Sequence, residues 1–129
     1  MKTASILIVD SDPDTRALYR QLLEMEGLEI VEAGDGQDAV DKATAHPPAV
    51  VMTDTRLPVL DGYAVCESLR RNSVTSAVPI IIATADATQS TWDLARAAGA
   101  DLVFLKPVPL EALVREIRAL TTHPPAPRG

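Results

Sequence analysis

The chain has 129 residues, the length of one ordinary domain, and a chain of that size buries roughly two thirds of its unfolded surface in a single core. Hydrophobic residues make up 47% and charged residues 23%, a balance that excludes a disordered or low-complexity chain. A net charge of −6 with only 12 Lys and Arg argues against direct nucleic-acid binding, which requires a basic footprint.

The first apolar segment, Ile6-Leu7-Ile8-Val9, is short and mostly β-branched, as strands buried on both faces are. Asp10 ends it after four residues, too soon for the apolar core of a signal peptide. No later run approaches the ~20 residues of a membrane span. A cytoplasmic protein without a membrane partner is the expectation.

Asp14 to Glu26 carries Ala17, Leu18, Leu22, Leu23 and Met25 at helical spacing, and Gly27 is placed to end that helix at C′. Leu28 to Ala33 alternates, which predicts a strand at a sheet edge. Gln37 to Ala45 is the second helix, stopped by Pro47-Pro48. Ala49-Val50-Val51-Met52 is the third strand. Asp61 to Arg71 is the third helix, with Asp61 as its cap. Cys66 lies within it, the single cysteine, so no disulfide framework or cysteine metal cluster exists; it reads as a small buried apolar residue. Val78 to Ala83 is the fourth strand and Thr88 to Ala98 the fourth helix, where Trp92 reads as a partly buried packing residue. Leu102 to Leu105 is the fifth strand, and Pro109 suits the first turn of a fifth helix ending near Leu120.

Five βα units in succession predict a doubly wound α/β domain with a parallel sheet of order 2-1-3-4-5, the flavodoxin-like arrangement. Residues 1–122 form that domain. Residues 123–129 are a Pro-rich tail or linker stub. His46 and His123 each precede prolines and lack ligand partners, so neither reads as a metal or catalytic residue.

In such sheets chemistry gathers at the carboxyl ends of the strands. Asp10, Ser11 and Asp12 follow the first strand, Asp54, Thr55 and Arg56 the third, Thr84, Ala85 and Asp86 the fourth, and Lys106 and Pro107 the fifth. Clustered carboxylates need a counter-charge. A hard cation such as Mg²⁺ suits an all-oxygen site, and a lysine supplies a second positive group. Cation, lysine and hydroxyl together form a clamp for phosphoryl oxygens, with one carboxylate as nucleophile. Each residue alone reads as a turn or cap; the coincidence of four strand ends carries the functional reading.

These residues resemble the response-regulator receiver family, the CheY-like proteins. The matching segments are Ile6 to Pro13, Asp54-Thr55-Arg56-Leu57-Pro58-Val59-Leu60-Asp61-Gly62, Val78 to Ala85, and Ala98-Gly99-Ala100-Asp101 through Phe104-Leu105-Lys106-Pro107. The resemblance implies two-component phosphorelay signalling by a phosphoacceptor that is not an enzyme in its own right, though it promotes its own phosphotransfer and dephosphorylation. Asp54 is then the phosphoacceptor. Thr84 is the switch hydroxyl and Lys106 the phosphoryl contact. Asp10, Asp54 and the backbone carbonyl of Arg56 hold Mg²⁺, with Asp12 or Ser11 as a further candidate. The Lys106-Pro107 bond is commonly cis in the family, and Gly62 fits the tight start of the third helix. A histidine kinase or phosphotransfer protein is the implied donor. The readout is an α4-β5-α5 face presented to an output protein or an output domain, in a monomer or a phosphorylation-dependent dimer.

Two positions depart from the family. Ser11 stands where a second acid is usual, which weakens Mg²⁺ binding unless Asp12 or water substitutes. Val103 stands where an aromatic usually moves on activation, and Phe104 points to the opposite sheet face. Arg56 and Asp86 flank the pocket mouth, where an ion pair between them would hinder attacking water. Ser11 and Val103 also suit a degenerate receiver acting as a phosphorylation-independent protein-binding module. A third reading starts from Val9-Asp10-Ser11-Asp12-Pro13, which looks like the motif of haloacid-dehalogenase-type phosphatases, with Asp10 as nucleophile and Asp12 as acid/base. Against it, Asp14 stands where Thr or Val is expected, no acidic pair follows Lys106, and the Asp54-to-Gly62 segment is left without a role.

Overall fold

The computed structural model describes residues 4–86 and 88–122. The tail at 123–129, with His123, lies outside them. Ten elements alternate in chain order: β1 (Ser5–Val9), α1 (Pro13–Glu24), β2 (Glu29–Ala33), α2 (Gly36–Ala45), β3 (Val50–Thr53), α3 (Gly62–Arg71), β4 (Ile80–Thr84), α4 (Gln89–Ala98), β5 (Leu102–Leu105) and α5 (Leu110–Thr122). The strands form one parallel sheet of order β2-β1-β3-β4-β5, as expected. β2, the alternating segment, is an edge strand.

The two-residue period of a strand divides the core. Leu7, Val9, Val51, Ile80 and Ile82 face one way and bury against Ala39, Val65, Leu69 and Ala95 of α2, α3 and α4. Ile6, Ile8, Val50, Met52 and Ile81 face the other way, against Leu23 of α1 and Leu113 and Ile117 of α5. Each fully buried Leu or Ile contributes about 1.5–3 kcal/mol, so both layers are needed to hold the sheet. Val103 joins the first layer and Phe104 the second, on opposite faces as the alternation requires. Cys66 is buried in the first layer, which pushes its thiol up to about 12.

Element ends differ from expectation where polar groups intervene. α1 closes at Glu24 with Met25 as C-cap, so Gly27, at φ +82°, lies one position beyond C′. The last turn tightens into Glu26 N–H to Leu23 and Gly27 N–H to Glu24 carbonyl bonds, both 3.0 Å. β4 starts at Ile80, and the Val78 carbonyl before it accepts from Arg70 Nη1 at 2.7 Å. Asp61 caps α3 as expected, accepting from the Ala64 N–H at 2.8 Å. Trp92 is 41% exposed, more open than a packing residue, because α4 turns that face away from the sheet.

Candidate functional site

β1 and β3 are neighbours at the point where strand order reverses, with Val9 in register with Thr53. Their next residues, Asp10 and Asp54, therefore emerge side by side, and the Asp54 N–H donates to the Val9 carbonyl at 3.0 Å. On the other flank Thr84 ends β4 opposite Leu105, and the Lys106 N–H donates to the Thr84 carbonyl at 2.7 Å. Lys106 follows β5 and joins Pro107 through a cis peptide bond.

Lys106 Nζ donates to Asp10 Oδ2 at 2.7 Å and to Asp54 Oδ2 at 2.9 Å. Burial disfavours the ammonium, but the hydrogen bonds and charges of Asp10 and Asp54 outweigh it and raise the lysine pKa above its ordinary value. Asp10 is only 4% exposed. Its Oδ1 accepts from the Asp12 N–H at 2.9 Å, and its carbonyl accepts from Arg16 Nη1. Arg16 is anchored in turn by Glu32 at 3.1 Å. Asp54 Oδ1 accepts from the Thr55 N–H at 2.7 Å.

Two carboxylates share one ammonium, which leaves one negative charge uncompensated in a partly buried, all-oxygen setting. That donor set fits a hard divalent cation. Asp12 does not reach into it. The Asp12 side chain is the cap of α1, accepting from the Asp14 N–H at 3.2 Å and the Thr15 hydroxyl at 2.7 Å. The Thr15 and Asp14 bonds hold its carboxyl below the usual range. Ser11 is exposed beside it. Among the described residues no three acidic, histidine or cysteine side chains converge as a metal cluster.

A groove of about 650 Å³ opens beside the acceptor, between the β3–α3 and β4–α4 loops. Arg56 and Asp86 both line it, yet among the described residues no ion pair joins them. The Asp86 N–H instead donates to the Thr84 hydroxyl at 3.1 Å. The β3–α3 loop is held by close backbone approach. A Cβ on Gly62 would lie 2.1 Å from the Asp54 carbonyl oxygen, and one on Gly36 would lie 2.0 Å from that of Leu60. A second crevice, about 520 Å³ between β2 and α2, includes Ser5 and Glu29 at the opposite sheet edge and lies away from this cluster.

Asp10, Asp54, Thr84 and Lys106 thus come together, Asp12 is diverted into a cap, and Ser11 stays outside the hydrogen-bonded cluster. Two contributors escaped the sequence. Arg16 gave no signal, since only the fold brings it under Asp10. Thr55 had one, a hydroxyl directly after the acceptor; its Oγ1 lies 3.3 Å from Thr84 Oγ1.

Comparison with known proteins identifies the family. The model of the response regulator receiver domain matches residues 6–118, including the Asp54-to-Gly62 segment that a phosphatase reading leaves without a role. The chain is 35% identical over 115 residues to the DNA-binding dual master transcriptional regulator RpaA of Synechocystis, covering 89% of this chain and 48% of that one. It spans about half the length of that regulator. It is 33% identical to protein PilH of Pseudomonas aeruginosa, over 91% of this chain and 97% of PilH. The receiver domain of the sensor histidine kinase PA1611 of the same organism was solved with a magnesium ion coordinated in its active-site cleft. It superposes at a TM-score of 0.87 with 29% identity, covering 94% of this chain and 99% of that one. Among the described residues no helix is long and apolar enough to cross a membrane. The five-stranded fold, the strand-end cluster and the family match together place this chain in the response regulator receiver domain family of two-component signalling.

Proposed function

We propose that the domain accepts a phosphoryl group on Asp54 and relays that event through a change of surface at α4, β5 and α5. The observation that carries the reading is the Lys106 ammonium bridging Asp10 and Asp54 at 2.7 and 2.9 Å. A carboxylate oxygen of Asp54 attacks the phosphorus of a phosphohistidine donor. The P–N bond breaks, the P–O bond of an acyl phosphate forms, and the donor nitrogen takes up a proton. Lys106 is already within hydrogen-bonding reach of the acceptor and follows the phosphoryl oxygens as their charge develops. Asp10, Asp54 and the Arg56 carbonyl would hold Mg²⁺, which supplies charge neutralisation for those oxygens when bound.

The new group adds about −1.5 to −2 charges. The Thr84 hydroxyl and Lys106 reorganise around it, biasing a two-state equilibrium in the elements that follow them. Val103 takes the place of an aromatic, so the relay runs through backbone and helix shifts rather than a ring rotation. Trp92, Leu94 and Leu105 are exposed on or beside that face and offer apolar surface to a partner. Residues 1–122 are the receiver unit in this reading, served by a histidine kinase or phosphotransfer protein and read by an output protein or output domain.

Titration with beryllofluoride and Mg²⁺, alongside acetyl phosphate labelling, tests it. The native chain should bind and label, Asp54→Asn should do neither, and Asp10→Asn should bind more weakly. A native chain that neither binds nor labels would make the domain a phosphorylation-independent binding module. Labelling that survives Asp54→Asn and disappears in Asp10→Asn would move the nucleophile to Asp10.

A further inference from the structure

Thr55 is fixed from both sides. Its N–H donates to Asp54 Oδ1 at 2.7 Å, and its carbonyl accepts from the Gly62 N–H at 2.9 Å. With the backbone pinned, rotation about χ1 is the main freedom left to its hydroxyl. That hydroxyl lies 3.5 Å from Asp54 Oδ1 and 3.3 Å from Thr84 Oγ1. Thr84 is 2% exposed and forms part of the groove wall.

Donor counting orients the chain of contacts. A carboxylate only accepts, and a hydroxyl has one proton and two lone pairs. The negative Asp54 oxygen, at 3.5 Å, is the better acceptor for the Thr55 proton. The Asp86 N–H occupies one lone pair of Thr84 Oγ1 at 3.1 Å. Either hydroxyl of the Thr55–Thr84 pair can be the donor, and with the Thr55 proton on the carboxylate the Thr84 proton goes to Thr55. The relay runs from the Asp86 N–H through Thr84 and Thr55 to the acceptor carboxylate. To donate to a phosphoryl oxygen, Thr84 must withdraw its proton from Thr55.

We infer that Thr55 is a positioning residue that holds the Thr84 hydroxyl in its resting orientation and so sets how strongly the domain favours the unphosphorylated state. The inference deepens the phosphoacceptor reading and rests on it. Removing the Thr55 hydroxyl frees the Thr84 donor, and a hydrogen bond as long as 3.3 Å lies at the weak end of the range, about a twofold to threefold change in an equilibrium. Thr55→Val keeps the shape and loses the donor, Thr55→Ser keeps the donor, and Thr55→Ala serves if the valine variant does not fold.

Two measurements test it on the full chain. Thr55→Val should bind beryllofluoride with Mg²⁺ about twofold to threefold more tightly than the native chain, and Thr55→Ser should return to native affinity. In the unliganded protein, three-bond scalar couplings of Thr84 should report a single χ1 rotamer in the native and serine forms and averaging in the valine form. Equal or weaker binding by the valine variant, where the native chain binds, overturns the inference. If the native chain does not bind beryllofluoride, the phosphoacceptor reading fails, and the couplings decide the role of Thr55 by themselves. Averaging in the valine form then supports the hold on Thr84, and an unchanged single rotamer overturns it.

Discussion

Lys106 Nζ lies 2.9 Å from Asp54 Oδ2 across fifty-two positions of chain, and the same ammonium reaches Asp10 at 2.7 Å. One cation thereby ties the ends of three strands, β1, β3 and β5. Its pKa is raised in the fold, against burial, by those two carboxylates. A lysine with a folded pKa above its unfolded one stabilises the fold at every pH below the ordinary value of 10.5. That contribution is lost as pH rises through the folded value. Urea midpoints of the native chain should therefore stay level through neutral pH and fall above 10.5. The fall should be smaller in Lys106→Met, which already lacks the interaction.

Ser11 is exposed beside a pair of carboxylates that share one lysine, and Asp12 is engaged in capping. Ser11→Asp should restore a third acid next to Asp10. An added charge within a few ångströms of a divalent ion is worth about 1 kcal/mol or more even when well solvated. Mg²⁺ affinity measured by calorimetry should rise by about tenfold. Asp12→Ala should lower Mg²⁺ affinity by less than Ser11→Asp raises it, since Asp12 is turned into the cap, and cost about 1 kcal/mol of stability through the lost cap.

Val59 sits at φ +72° with its side chain 75% exposed. The Leu60 N–H donates back to the Pro58 carbonyl at 2.8 Å, closing a three-residue γ-turn around it. A β-branched residue is strained at that φ, and glycine is not. Val59→Gly should stabilise the domain by about 1 kcal/mol, read as a higher urea midpoint with an unchanged slope.

Gly62 starts α3 where the chain passes over the Asp54 carbonyl, and a methyl group there would meet that oxygen at 2.1 Å. Gly62→Ala should cost about 2 kcal/mol or more, because backbone has to move to admit the side chain. The same shift would misplace Asp54, so beryllofluoride affinity should fall together with stability.

Arg70 is the fastener at the other end of the sheet. It donates to the carbonyls of Gly99, Ser76 and Val78 and pairs with Asp101 at 3.1 Å. Asp101 also accepts the Ile80 N–H at 2.8 Å. Arg70→Met removes the cation from a nearly buried pair and should cost about 3 kcal/mol by urea unfolding. Arg70→Lys should recover little of it, since one ammonium does not serve four separated acceptors.

The order of elements, the parallel sheet and the placement of Asp10, Asp54, Thr84 and Lys106 were legible in the chain because they follow from local regularities. Continuous apolar runs mark strands buried on both faces, helical spacing marks the covering layers, and the residue after each strand must emerge at the sheet's carboxyl edge. Alternation along β5 was enough to send Val103 and Phe104 to opposite sides. Side-chain pairing was not legible, because it depends on distances between segments that are remote in sequence. Arg56 and Asp86 share a groove without pairing, and the Asp86 N–H goes to the Thr84 hydroxyl. Asp12 caps a helix, and its own N–H is tied to Asp10. The sequence by itself determined which residues arrive at the carboxyl edge of the sheet. Tertiary packing alone decided which of them touch, that Lys106 bridges two carboxylates, and that the Thr55 and Thr84 hydroxyls lie 3.3 Å apart, because hydrogen bonds of about 3 Å are settled by the last adjustments of strand register and loop closure.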